Sequence, residues 1–177
     1  DFVACHQFNF IEKVEMLSFA KKGATFLLNS PFGPEEVWRE LPKHVQEIII
    51  EKELKVYVID ATSVARDTGM SGRVNTIMQT CFFALSGVLP KDEAIAEIKH
   101  AIEKTYFKKG KAVIQQNFRA VDATLDHLYE VKVPKMAMST DGMVTTIENG
   151  FDWQQNLDIE IVDFQDIVNV VPAEAPE

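Results

Sequence analysis

Residues 55–61, KVYVIDA, set four large apolar side chains in a row, Val56, Tyr57, Val58 and Ile59. A strand with one wet face alternates polar and apolar residues, and this one does not. It reads as a strand covered on both faces, as in a parallel sheet sandwiched by helices. Upstream, ATFLLNSP at 24–31 repeats the pattern and ends in Asn-Ser-Pro turn chemistry. DFVACHQ at 1–7 is a third, shorter β-rich run. Between the first two runs, FIEKVEMLSFAKKG at 10–23 has helical spacing through Ile11, Val14 and Leu17, with Gly23 as a stop. Between the second and third, Pro34 opens PEEVWREL, with acids in its first turn, and KHVQEIIIEKEL continues as helix. Strand, helix, strand, helix, strand predicts an α/β domain with a parallel sheet in the middle of three layers.

Beyond the third strand the apolar spacing is helical throughout, predicting helices at 62–68, 74–88, 91–105 and about 110–129, divided by Pro90 and Gly110. After Val131 the periodicity fades. The last stretch, 134–177, reads as an extended acidic linker or arm, separate from a domain at 1–133. Such a segment buries too little to fold alone but can lie along another surface, with Trp153 as its anchor. The chain starts within a strand and stops in Pro/Glu-rich sequence, so it is expected to be a piece of a longer polypeptide.

The charge is −9 over 177 residues, and residues 131–177, with Lys132 and Lys135 against nine acids, carry −7 of it. No basic stripe is present to release counter-ions from a phosphate backbone, so nucleic acid is not an expected partner. An anionic membrane surface is disfavoured for the same reason, and no apolar run reaches spanning length. The two cysteines, Cys5 and Cys81, fall in elements predicted to be buried. Free thiols in a reducing, cytoplasmic-type compartment are expected rather than a disulfide. Without a CxxC, neither a zinc site nor an iron–sulfur cluster can be built from these residues.

Residues 71–90, SGRVNTIMQTCFFALSGVLP, hold the best candidates for ligand contact. Gly69, Ser71 and Gly72 would bring backbone N–H groups to a helix start, where anions are favoured. Arg73 would add a forked donor for phosphate, and Asn75 and Gln79, four apart, would line one face. The same residues also suit a plain helix start, with Ser71 or Gly72 as cap and Arg73 salt-bridged on the surface. Ile77, Met78, Cys81, Phe82, Leu85 and Val88 recur at core spacing, so Cys81 is expected in a core and not as a nucleophile. Asn29 stands at the carboxyl end of a predicted strand, where open α/β sheets gather ligands, although turn formation would explain it equally. Asp60 could stand where dinucleotide-binding folds place a ribose-reading acid, but without a GxGxxG before it a strand-end or helix-cap role is expected. His6 is expected as a hydrogen-bonded strand-end residue. His44, His100 and His127 are expected on the surface. Glu47–Glu51 and Glu93–Glu97 read as solvated helix faces, and Trp38 as part of the core.

Several long strings, DFVACHQFNFIEKVEML, GATFLLNSPFGPEEVWRELP, LKVYVIDATSVARDTGMSGRVNTIMQTCFFALSGVLP and AIEKTYFKKG, resemble the gamma domain of pyruvate:ferredoxin oxidoreductases over roughly residues 1–133. The resemblance implies a Rossmann-like domain that here lacks its first strand, first helix and glycine-rich loop. It implies a whole enzyme that decarboxylates pyruvate oxidatively, reduces ferredoxin and forms acetyl-CoA. Thiamine diphosphate, Mg2+ and [4Fe–4S] clusters would sit in other domains, and the whole enzyme would be a cytoplasmic homodimer. For this chain it implies a share in coenzyme A binding, through Arg73, Asn75, Gln79 and Asn29, and in organising the assembly. The alternative is an interaction module that ties catalytic parts together without touching a ligand.

Overall fold

The computed structural model describes residues 1–13 and 15–137. Three parallel strands, β1 (Phe2–Cys5), β2 (Thr25–Asn29) and β3 (Lys55–Ile59), lie side by side in chain order. A two-residue strand, β4 (Tyr129–Glu130), closes the far edge antiparallel to β3, with Tyr129 opposite Val58.

Alternate residues of each strand enter different cores, which makes the sheet the middle layer. Phe26, Leu28, Val56, Val58 and Cys5 join one cluster with Ile11, Leu17, Val37, Trp38, Leu41, Val45 and Ile49. Leu27 and Ile59 face the other way, onto Val64, Met70, Ile77, Met78, Cys81 and Ala120. Strands added one after another in one direction put both of their crossovers on one face, given a constant crossover hand. The connections β1–β2 and β2–β3 accordingly share the first core. The opposite face is covered later, by α3 (Ala61–Asp67), α4 (Val74–Leu85) and α6 (Lys111–Asp126). Between them α5 (Lys91–Tyr106) packs on α4 and α6, burying Ala94 and Ile102, and forms the helical subregion.

The first connection corrects the sequence reading. No helix forms over the described residues of 10–23. A 3-10 turn at Phe8–Phe10 is followed by a series of turns. Ile11 and Leu17 are nevertheless buried, because successive tight turns return side chains to one side at similar intervals. Val14 lies outside the described residues. The ammonium of Lys52 replaces the missing helical bonds, donating to the carbonyls of Leu17, Ser18 and Ala20 at 2.8, 2.7 and 2.9 Å. A helix over this stretch would instead consume those carbonyls internally.

The second connection is two helices, α1 (Val37–Glu40) and α2 (Lys43–Glu51). Pro42 forces Leu41 out of the helical region, to φ −75 and ψ 135. The carbonyls freed by this break are taken by the buried Gln46, whose amide donates to Trp38 and Leu41, both at 2.9 Å.

Two helix ends also differ from expectation. α4 stops at Leu85 instead of 88, with Gly87 at φ +68, so Val88 is 63% exposed and leaves the core stripe. α6 stops at Asp126, and Tyr129–Val131 pair with β3, Val131 N–H donating to Val56 O at 2.8 Å. Tyr and Val suit a pleated strand, and β3 would otherwise present a bare edge. Trp38 and Cys81 are buried as expected, while residues 138–177, with most of the acidic stretch and Trp153, lie outside the described residues.

Candidate functional site

The turn between α3 and α4 is built in detail. At the end of α3, Gly69 N–H donates to Arg66 O at 3.1 Å and Met70 N–H to Ala65 O at 2.7 Å. Gly69 takes φ +73 and Met70 tucks in, only 3% exposed, which together make a Schellman end to the helix. Gly72 supplies a second left-handed residue, at φ +81, and turns the chain toward α4. Arg73 occupies the N-cap position with no side-chain cap, its N–H donating to Met70 O at 2.9 Å. Neither Ser71 nor Gly72 is the cap.

Ser71, Gly72, Arg73, Asn75 and Gln79 are all exposed. Asn75 and Gln79 stand one turn apart on the outer side of a helix whose inner side is Ile77, Met78 and Cys81. Among the described residues, the side chains of Arg73, Asn75 and Gln79 make no hydrogen bond or ion pair within the chain. The surface therefore offers a guanidinium fork, two amides and a helix start, open to solvent. That donor set suits an anionic ligand such as a phosphate ester.

Asn29 is elsewhere. It ends β2 at the carboxyl edge of the sheet, and α3, seven residues long, carries the chain about 10 Å from that edge before the Arg73 turn begins. Both ends of its amide are used within the chain. Its Nδ2 donates to His6 O at 2.9 Å and its Oδ1 accepts from Ala61 N–H at 3.0 Å, tying together the ends of three neighbouring strands. Beside it, Ser30 is buried and its hydroxyl accepts from Phe32 N–H at 3.0 Å. Asp60 caps α3, accepting from Ser63 N–H at 3.0 Å, as the sequence suggested.

The same edge holds a cleft of about 100 Å3 lined by Phe32, Gly33, Asp60, His127 and Tyr129 among others. It is small beside ligand pockets of roughly 300–1,000 Å3. His127 is tied back to Ala123 O through Nδ1 at 2.8 Å, and Asp60 already serves its helix. His44, His100 and His127 are exposed, as are both acid pairs, Glu47–Glu51 and Glu93–Glu97.

The thiols are inert where they stand. Burial pushes Cys5 up to about 11 and Cys81 to about 12, so both are protonated across the physiological range. They occupy separate cores on opposite faces of the sheet and are free. A [4Fe–4S] cluster takes four Cys ligands, and the two cysteines of this chain lie apart in different cores. Among the described residues no group of three or more His, Cys, Asp or Glu side chains is placed to hold a metal ion. No helix among them is long and apolar enough to cross a membrane.

Residues 1–127, the α/β core with its helical subregion, match the pyruvate ferredoxin/flavodoxin oxidoreductase family. The chain belongs to that family. It is 59% identical to a pyruvate-flavodoxin oxidoreductase of Rhodospirillum rubrum over 134 residues, 76% of this chain and 11% of the relative. A pyruvate-flavodoxin oxidoreductase of Nostoc sp. is 58% identical over the same shares of the two chains. The pyruvate:ferredoxin oxidoreductase of Moorella thermoacetica is 44% identical, again over 76% and 11%. The chain thus spans about a ninth of the length of these oxidoreductases, and the matched ninth is the part that contains the Arg73 surface.

Sequence reasoning missed one side chain at this surface. The amide of Gln116, on α6, donates to Gly69 O at 2.8 Å and to Thr68 O at 3.4 Å. A glutamine at a polar position of an amphipathic helix carries no signal of a partner 47 residues away.

Proposed function

We propose that the chain is part of an oxidoreductase that decarboxylates pyruvate, forms acetyl-CoA and CO2, and passes the electrons to ferredoxin or flavodoxin. Within it, this part takes hold of coenzyme A at the start of α4. Membership of the family supports the reaction, and the names of the relatives support the choice of redox partner. One observation carries the ligand role: Arg73, Asn75 and Gln79 stand together, exposed, and their side chains make no hydrogen bond or ion pair among the described residues. Arg73 would fork onto a phosphate of coenzyme A, while Asn75 and Gln79 would take hydroxyl or amide groups further along the ligand. The Asn29 turn would contribute through backbone, since its side chain is spent on His6 and Ala61. Thiamine diphosphate, Mg2+ and the clusters would be held outside this chain, whose two cysteines lie in separate cores. Two free buried thiols also support a reducing, cytoplasmic setting.

Arg73→Ala in the whole enzyme is the test. Loss of a charge-assisted phosphate contact should raise KM for coenzyme A about tenfold while leaving KM for pyruvate in place. An unchanged KM for coenzyme A would remove the clamp.

A second reading, an interaction module without ligand contact, is favoured by Phe19 and Phe107, which are 90% and 79% exposed. Aromatic side chains so placed are ready anchors for neighbouring parts of a larger assembly. Calorimetric titration of coenzyme A into the whole enzyme and its Arg73→Ala variant separates the two. Only the first reading expects the substitution to weaken saturable binding.

A further inference from the structure

We infer that Gln116 is a positioning residue for the ligand surface, selecting the one conformation of the α3–α4 turn that presents Ser71, Gly72 and Arg73 outward. The inference rests on the coenzyme A reading above and adds to it the residue that holds the turn in place.

Besides the Schellman bonds of Gly69 and Met70 and the bond from Arg73 N–H to Met70 O, the turn has two anchors of its own. Thr68 is half-buried and bonds back into α3 through Oγ1–Val64 O at 2.7 Å, and Met70 is anchored in the core. Between these fixed points Gly69 sits at φ +73, and beyond them Gly72 takes φ +81, values that leave a peptide chain several alternatives. Helix α6 crosses behind the turn, and the amide nitrogen of Gln116 reaches the two carbonyls of Thr68 and Gly69 at 3.4 and 2.8 Å. Thr68 is the C-cap of α3 and Gly69 lies just beyond it, so neither carbonyl points into a further helical turn. Capping them with a donor from a different helix ties the direction of the turn to the position of α6.

A Cβ built on Gly69 would lie 2.6 Å from Gln116 Nε2, so a side chain at 69 would push the flexible end of Gln116 off the carbonyls, and at φ +73 it would also strain the backbone. The Gly69 N–H is spent on Arg66 O and the Gln116 amide on the two carbonyls, so their effect on binding passes through the turn. Pre-ordering of this kind strengthens binding by removing the cost of fixing the loop when the ligand arrives.

Gln116→Met keeps the length and volume of the side chain and removes the donor. In the whole enzyme it should raise KM for coenzyme A about three- to tenfold with kcat and KM for pyruvate unmoved, the size of one or two lost hydrogen bonds. Amide hydrogen exchange of residues 69–73, measured on the same enzyme without ligand, should quicken. Gln116→Lys retains a nitrogen donor of similar reach and should restore both. Lys52 shows in this molecule that an ammonium can serve grouped carbonyls.

Arg73→Ala distinguishes the possible failures. If it raises KM for coenzyme A and Gln116→Met does not, the positioning role falls while the ligand surface stands. If neither moves KM, the ligand reading falls and takes the positioning role with it. If Gln116→Met lowers kcat and leaves exchange at 69–73 unchanged, Gln116 acts through general stability, and the inference is overturned.

Discussion

Two connections in this molecule abandon regular structure, and each receives one side-chain nitrogen from far away in sequence, the first from the residue that caps α2 and the second from α6. In the β1–β2 connection Lys52 serves three carbonyls with a charged donor. In the α3–α4 turn Gln116 serves two with a neutral one. The first stretch is long, contributes Ile11, Leu17 and Ala20 to a core, and projects Phe19 into solvent. The second is short, contributes Met70, and projects polar side chains. A chain segment that cannot satisfy its own backbone needs an outside donor. The strength of that donor follows how much of the core depends on the segment. The charged latch belongs to folding and the neutral one to a surface.

Lys52→Met tests the stronger latch and should have the largest effect. Three carbonyls lose a charged donor, and Ile11 and Leu17 lose the fixed backbone that presents them to the sheet. Chemical denaturation should show a loss of about 3 kcal/mol. A loss below about 1 kcal/mol would mean water replaces the ammonium without cost, and the two connections would then not differ in kind.

Asn29→Ala comes next, at about 2 kcal/mol, since one amide both donates to His6 O and accepts from Ala61 N–H. Asn29→Asp keeps the acceptor and loses the donor, so it should recover part of that. The pair asks whether a neutral amide within the fold matters more than the neutral amide of Gln116 at the surface.

The unequal legibility of these features has a physical cause. The parallel strands were plain from residues 24–31 and 55–61, because burial on both faces leaves an unbroken apolar run that few other structures require. Helices α3 to α6 were plain to within a few residues from their spacing and from Pro90 and Gly110. The β1–β2 connection was not, because Ile11 and Leu17 satisfy a helical period without any helix, and the donor that makes the irregular path possible is 32 or more residues away. β4 was hidden because two residues carry no period. At the candidate site, Arg73, Asn75 and Gln79 were legible as exposed polar groups at a helix start. Asn29 was legible as an edge residue, but nothing local shows that His6 and Ala61 already use its amide.

Cys5 and Cys81 offer a smaller effect that compares the two cores directly. Each thiol is raised by burial above its unfolded value, so its neutral form favours folding fully below about pH 9. That contribution is lost as pH climbs toward about 11 for Cys5 and about 12 for Cys81. Between pH 8 and 10 each thiol should cost the fold about 1 kcal/mol. Replacing each in turn with alanine and comparing the slopes isolates its share from other groups that titrate there. Equal shares over that range would mean that both faces keep their thiol protonated to about pH 10. A loss at Cys5 that levels off at lower pH than at Cys81 would show the face closed by the irregular connection to be the wetter one.

Arg73→Ala should have the smallest effect on stability, within about 0.5 kcal/mol in either direction. Its side chain is exposed, has no partner among the described residues, caps nothing, and follows a turn already fixed by Gly69, Met70 and Gln116. The measurement is a denaturation midpoint for the variant beside that of Gln116→Met, where a loss of about 1 kcal/mol is expected. A stability loss at Arg73 as large as that at Gln116 would erase the distinction between the residue that holds the turn and the residue the turn presents. Silence at Arg73 would leave an arginine that folding does not use at the head of a surface whose backbone another helix fixes, and a partner outside the chain becomes the reason for its place.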